Sequence, residues 1–282
     1  MEDATRIDVM DKTLRLSVRA VVGLLFFQHG AEKLWGFAGG RIDHNFYTLH
    51  GIAGPLEVIG GALIAVGILT TPVAFLLCGE MAVAYFMTWA PRGFFPITNG
   101  GEEAVLFCFL FLWMITGGAT SQTAQGTVAA ALAAREPQAR SILRVIFGCL
   151  FALHGLRLAF GILSPTAGRR SAAPMAIDQL GSAAGYLVLL FGVLFALGLY
   201  SRIAAGGLSV MAFAAYLFFA VPRGPWPIRN GGTEALLYAL VGLYLSFIGP
   251  GSWCLDRLRT NVQPSDLLPA SQPSNQSAPL LR

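Results

Sequence analysis

Eight apolar stretches dominate this sequence, and each is long enough, or nearly so, to cross a bilayer core of about 30 Å. They lie at residues 14–36, 51–69, 72–90, 103–119, 142–163, 180–199, 202–221 and 234–250. The stretches do not alternate between apolar and polar residues, and a backbone in lipid must satisfy its own hydrogen bonds, so helices are predicted rather than barrel strands. Charged residues make up 12% of the chain, about half of the fraction in a soluble domain. The sequence therefore predicts an all-α, polytopic membrane protein with eight transmembrane helices.

The chain contains a second copy of its own pattern. Residues 91–104, PRGFFPITNGGEEA, recur at residues 222–235 as PRGPWPIRNGGTEA, with ten of fourteen positions identical. The first helices match as well, because LFFQHG at 25–30 corresponds to LFALHG at 150–155. Each copy has four stretches, and an even number of crossings returns the chain to the side on which it began. We therefore expect two parallel four-helix repeats, related by an axis along the membrane normal.

The duplication also predicts a domain organisation. A polar segment at 1–13 precedes a first four-helix unit at 14–119, a linker at 120–140, a second unit at 141–256 and a disordered tail at 257–282. Lys and Arg residues near the helix ends are more frequent on the side of the membrane that holds the amino terminus. This bias predicts that both termini are cytoplasmic. The net charge of +4 is spread among short loops, so lipid is the expected partner and nucleic acid is not.

Ionisable residues inside the apolar stretches require an explanation, because a charge at the bilayer centre costs about 2.5–3.5 kcal/mol on insertion scales. The candidates for ligand or proton handling are His29, Glu57, Glu80 and Tyr85, all in the first copy. Glu57 and Glu80 stand out, because their positions are apolar in the second copy.

Alignment of the copies places Val188 opposite Glu57 and Met211 opposite Glu80, so the fold itself does not require either carboxylate. The structural alternative is a buried Glu80 that hydrogen-bonds to Tyr85, to Trp89 or to a neighbouring helix.

Other polar residues are predicted to stabilise the loops and helix ends. The sequence from Asn99 to Glu102 fits a helix N-cap with a carboxylate three positions later. Arg92 and Glu103 recur with the same separation in the second copy, which favours a pair that serves the fold. The predicted structural set is Arg92, Asn99, Glu102, Glu103, Arg223, Asn230 and Glu234.

No cofactor motif is present in the sequence. The four cysteines form no CxxC pair, and no spacing of His, Cys or acidic residues is typical of a metal centre, so no metal site is predicted. His29 and His154 are equivalent in the two copies, and two such histidines could ligate a haem iron. Cytochromes with this ligation usually need more than one matched pair of histidines. The sequence predicts no haem, flavin or metal, and it leaves open whether the protein is an enzyme.

The first copy, over about residues 14–119, resembles the DoxX family. The segments that carry the resemblance are GLLFFQHGAEKLWG at 23–36, PLEVIGG at 55–61, GILTTP at 67–72, GEMAVAY at 79–85, PRGFFP at 91–96 and NGGE at 99–102. The second copy, at about 142–256, resembles a divergent unit of the same family and ends in GPGSWCLD at 249–256. The chain thus looks like two tandem DoxX-like units.

This resemblance implies four-helix membrane bundles in the bacterial inner membrane. It also implies a subunit that supports quinone-linked or thiol-linked redox activity with a redox partner subunit, because the related DoxD protein belongs to a thiosulfate:quinone oxidoreductase. A quinone is then the expected cofactor, and no catalytic residue is carried over from the family. Two alternatives fit the same sequence: a non-enzymatic membrane scaffold or assembly factor, and a small-molecule transporter.

Overall fold

Every predicted apolar stretch contains a helix. The computed structural model describes residues 2–40, 42, 47–117, 127–163 and 175–257. The helices are α1 (Glu2–Trp35), α2 (Leu49–Val66), α3 (Thr70–Ala84), α4 (Pro96–Asn99), α5 (Glu102–Ile115), α6 (Thr127–Ala133), α7 (Glu136–Phe160), α8 (Met175–Leu197), α9 (Ser201–Ala215), α10 (Pro227–Asn230) and α11 (Thr233–Ile248). These described residues contain no β-strand, and the predicted all-α class is confirmed.

Helix length limits what is established about the membrane spans. Three helical segments among the described residues are both long and apolar enough to cross a bilayer, at Thr70–Arg92, Glu136–Phe160 and Ser201–Arg223. Shorter apolar helices occupy Gly51–Val66, Ala183–Leu197 and Thr233–Ile248. The total of eight spans therefore stays a prediction.

The ends of α3 and α9 show the duplication in the backbone. Each helix continues into a π-helical turn, at Tyr85–Trp89 and Tyr216–Ala220. A short 3₁₀ turn follows, and it contains Pro91 in the first unit and Pro222 in the second. Proline lacks an N–H and cannot continue the regular hydrogen-bond ladder, so both helices end at the same point of the repeat.

The loop after each of these turns is fixed by an asparagine. Asn99 Nδ2 donates to the carbonyl oxygen of Gly93 at 2.9 Å, and its Oδ1 accepts from Gly101 N at 2.8 Å. Asn230 makes the equivalent bonds to Gly224 and Gly232, both at 2.8 Å.

The predicted N-cap role of Asn99 is therefore wrong. Asn99 ends α4, and the residue that precedes the first turn of α5 is Gly101, which has no side chain to act as a cap. The amide bridges the loop instead, because Gly93 and Gly101 lie on either side of it.

Helix packing follows the sequence repeat. In the first unit α1 packs on α2 and α3 on α5, and in the second unit α7 packs on α8 and α9 on α11. Between units, α5 contacts α7 and α11 contacts α1. The buried core is accordingly rich in side chains of α5 and α11, such as Phe107, Phe111, Trp113 and Tyr244. We call α3 and α9, with the turns that continue them, the outer helices, and their Phe75 and Phe218 are more than 70% exposed.

Helices extend into two of the segments that were predicted to flank the four-helix units. The polar residues 1–13 are not separate from the bundle, because α1 begins at Glu2. The predicted linker at 120–140 contains α6 and the start of α7, while its residues 120–126 lie outside the described residues. Residues 258–282 of the predicted tail also lie outside them.

Candidate functional site

Two interior clusters of ionisable side chains are candidates for a functional site. The first, here named the first-unit cluster, consists of Lys33, Glu57 and Glu80. Lys33 Nζ lies 2.5 Å from Glu57 Oε1, with only 17% and 3% of the two side chains exposed. The carboxyl of Glu80 is near enough to interact electrostatically with both groups.

A close approach of α1 and α2 allows this ion pair to form. At Gly30, a Cβ would lie 2.6 Å from the carbonyl oxygen of Gly54, so only glycine lets the two helices meet there. The second unit repeats the close approach but has Leu158 and Val188 at the positions of Lys33 and Glu57. The ion pair is thus specific to the first unit and is not needed for the helices to pack.

Of the two carboxyls in the first-unit cluster, Glu57 pairs with Lys33, and Glu80 has no such polar contact among the described residues. Both of its oxygen atoms are buried and lack a hydrogen-bond partner in the described part of the chain. The expected alternative of a bond to Tyr85 or Trp89 is therefore not observed. Leu76 and Val83, one turn to either side on α3, are about half exposed, so Glu80 lies at the border between the core and the outer apolar surface.

The second cluster lies where the two units meet, and its members are Glu102, His154, Glu234 and Tyr238. We name it the central cluster. Glu102 is 3% exposed, and His154 Nε2 lies 2.8 Å from its Oε1 and 3.0 Å from its Oε2. The Tyr238 hydroxyl donates to Glu102 Oε1 at 2.5 Å. One carboxylate from α5 thereby joins side chains of α7 and α11.

The positions of the central cluster have equivalents across the repeat. His29 corresponds to His154, Glu103 to Glu234, and Thr233 to Glu102. His29 Nε2 lies 3.6 Å from Glu103 Oε2. Because Thr233 replaces a glutamate, this equivalent cluster has one carboxylate fewer.

The four residues predicted for ligand or proton handling thus lie in three places. Glu57 and Glu80 belong to the first-unit cluster, and His29 faces Glu103 instead. Tyr85 lies in the π-helical turn, where Asn99 Nδ2 approaches its hydroxyl at 3.5 Å.

The predicted arginine–glutamate pairs do not form in the described structure. Arg92 lies over the ring of Trp89, with its Cζ 4.4 Å from the ring centroid, and Arg223 Nη1 approaches the Asn230 carbonyl oxygen at 3.5 Å. Both arginines stay with their own loop, because Glu103 and Glu234 project toward the unit interface.

Sequence reasoning missed His154 and Tyr238 as members of a site. The equivalence of His154 to His29 was visible in the repeat, but no sequence spacing indicated that either would meet a glutamate. It also missed a thiol pair, since Cys78 Sγ lies 3.7 Å from Cys108 Sγ between α3 and α5.

The outer apolar surface and the interior ionisable groups are features of a helical membrane protein. The chain belongs to the DoxX family: the sequence model of that family matches residues 14–90 and 139–221. These two separate matches confirm the prediction of two tandem DoxX-like units.

One relative is a protein of Haemophilus influenzae that is described only as uncharacterised. It is 39% identical over 111 residues, which are 36% of this chain and 81% of the relative. No solved structure is detectably similar to the chain.

Proposed function

We propose that this protein crosses the bacterial inner membrane eight times and supports quinone-linked or thiol-linked redox activity. In this proposal the units at 14–119 and 141–256 are parallel repeats, and both termini are cytoplasmic. The family, the matched helix order of the two units and the apolar outer helices support the membrane arrangement.

The redox proposal rests on Glu80, whose buried carboxyl oxygens have no hydrogen-bond partner among the described residues. A buried polar group without a hydrogen bond costs free energy, so a ligand that supplies the missing bond is favoured there. Glu80 lies between the half-exposed Leu76 and Val83, so displacement of these side chains would let an apolar molecule from the lipid reach its buried carboxyl. A quinone fits, because its ring is apolar and its carbonyl oxygen accepts a hydrogen bond from a protonated carboxyl.

Reduction of a quinone takes up two electrons and two protons. We assign a proton-donor role to Glu80, with Lys33 and Glu57 as its charged neighbours. Glu80 supplies one proton, and a redox partner subunit supplies the second proton and both electrons. In the thiol-linked form of the proposal, Cys78 and Cys108 form a disulfide and thereby release two electrons and two protons.

Binding of decylubiquinone to the full chain in lipid nanodiscs tests this proposal. We expect saturable binding, measured by tryptophan quenching, that weakens as the pH rises because an ionised Glu80 no longer donates. Glu80→Gln retains a donor but not a titratable proton, so its binding should persist without the pH dependence. Glu80→Leu should bind about tenfold more weakly, since one hydrogen bond to the quinone is lost.

Met211→Leu is the matched control, because Met211 is the second-unit equivalent of Glu80. This substitution should leave quinone binding unchanged. The absence of saturable binding, or equal affinity in Glu80→Leu, would overturn the quinone proposal. Retained copurification of a partner without quinone binding would instead favour a scaffold, and solute flux in liposomes that Glu80→Gln abolishes would favour a transporter.

A further inference from the structure

The central cluster has a donor set that the proposed function does not use. We propose that Glu102, His154 and Glu234 bind a divalent transition-metal ion, such as Zn²⁺, Mn²⁺ or Fe²⁺. The proposal concerns α5, α7 and α11, whereas the quinone proposal depends on Glu80 in α3.

Geometry is the first argument. One ligand atom from each of Glu102, His154 and Glu234 lies within 4.8 Å of the other two. Ligands bound at about 2.0–2.2 Å from an ion are closer together than that limit, so modest side-chain rotations bring all three into coordination. One imidazole nitrogen and two carboxylates suit zinc or non-haem iron and manganese better than the all-oxygen sites typical of Mg²⁺ and Ca²⁺.

A hydrogen bond from a buried tyrosine holds the carboxylate of Glu102 in one orientation, as is usual for metal ligands. Tyr238 is 3% exposed, and its hydroxyl donates to Glu102 Oε1. Hydrogen bonds of this kind fix the orientation of metal-binding carboxylates. A further oxygen belongs to Thr233, which directly precedes Glu234 in the chain and is 1% exposed.

Charge is the second argument. The Glu234 carboxyl interacts electrostatically with Glu102 and Glu103, and Arg157 is the cation that acts on it. Three carboxyl groups at one largely buried interface repel one another when ionised. A divalent cation offsets this repulsion without protonation of the acids.

The repeat supplies an internal comparison. The equivalent cluster, His29, Glu103 and Thr233, has a hydroxyl at the position of Glu102. That cluster therefore offers one histidine and one carboxylate, and His29 Nε2 lies 3.6 Å from Glu103 Oε2. We therefore expect one metal site in the chain rather than two.

Metal analysis of the purified full chain tests the proposal. After incubation with Zn²⁺, Mn²⁺ or Fe²⁺ and removal of free ion, elemental analysis should find about one equivalent of one of them, as for a single three-ligand site. Glu102→Thr and His154→Gln should each abolish stoichiometric loading. Tyr238→Phe keeps the ligands but should lower the affinity about 10- to 100-fold.

His29→Gln is the matched control and should load like the unchanged protein. Glu102→Thr installs the residue of the equivalent position, and elution as a single peak in size exclusion checks that each variant is folded. Failure of all three ions to bind, or full loading of folded His154→Gln, would overturn the metal site. Either result leaves the Glu80 experiment unaffected.

Discussion

Single side chains supply hydrogen bonds to the carbonyl groups at the helix ends of this bundle, as two arginines illustrate. Arg19 Nη2 donates to the Val66 carbonyl oxygen at 3.2 Å, at the end of α2. Arg144, its equivalent in the second unit, donates to the Ala196 carbonyl oxygen at 3.4 Å and also to that of Trp253. The last carbonyls of a helix have no partner within the helix, so a cation there stabilises the end.

Loss of the buried arginine should be the more damaging of the two. We expect Arg144→Met to lower the free energy of unfolding by about 2–4 kcal/mol, because Arg144 is 2% exposed and several carbonyl oxygens lose a charged donor. Arg19→Met should cost about 1 kcal/mol, since Arg19 is only half-buried and has one such bond. Unfolding of both variants in mixed micelles, titrated with SDS, measures the difference, and equal losses would contradict it.

At the scale of elements, glycine sets the distance between the paired helices. A Cβ at Gly61 of α2 would lie 2.6 Å from the backbone nitrogen of Phe27 in α1. Gly192 of α8 is in the same situation, with the nitrogen and Cα of Ala152 close to it. Both units therefore depend on small residues where the first two helices cross, as is common in membrane bundles.

Substitution of one of these glycines should separate packing from helix propensity. Gly61→Ala should destabilise the protein by about 1–3 kcal/mol, because the backbone of α1 has to move. Gly79→Ala, on α3, is the control, since no atom lies within 4 Å of a Cβ built there. The same SDS titration provides the readout, and a Gly61→Ala variant as stable as Gly79→Ala would show that the close approach is not required.

At the scale of the whole molecule, the two units are held together by contacts at their repeated loops and by their fourth helices. The Arg229 guanidinium lies 3.0 Å from Glu32 Oε1, and the rings of Phe37 and Trp226 meet edge to face. On the α7 side, Glu136 accepts from Trp113 Nε1 of α5 at 3.0 Å, and Arg15 Nη1 of α1 lies 3.4 Å from its Oε1. These contacts join the two units, and the parallel orientation of the units stays a prediction.

Site-specific labelling tests this parallel arrangement in the membrane. In a background without the four native cysteines, Phe94→Cys and Pro225→Cys occupy equivalent, exposed loop positions. Both should react with a membrane-impermeant maleimide added from the same side of intact cells. Ala134→Cys, near the start of α7, should react only after permeabilisation. Labelling of the two loop positions from opposite sides would disprove parallel repeats.

The sequence by itself determined the helical class, the duplication and the family, because these depend on local patterns. Apolar stretches of bilayer length form helices whatever their neighbours are, and the PRG motif marks the same turn in each unit. The unmatched Glu57 and Glu80 could be identified for the same reason, since their second-unit equivalents are apolar.

Only the tertiary structure decided which polar groups meet. Glu102 was predicted to serve its own helix end, yet its partner His154 is 52 residues away and Tyr238 is 136 residues away. No local pattern encodes such a contact, because it depends on which helices the two units place side by side. The same is true of Lys33 with Glu57 and of Cys78 with Cys108, whose positions are fixed by helix crossings rather than by spacing along the chain.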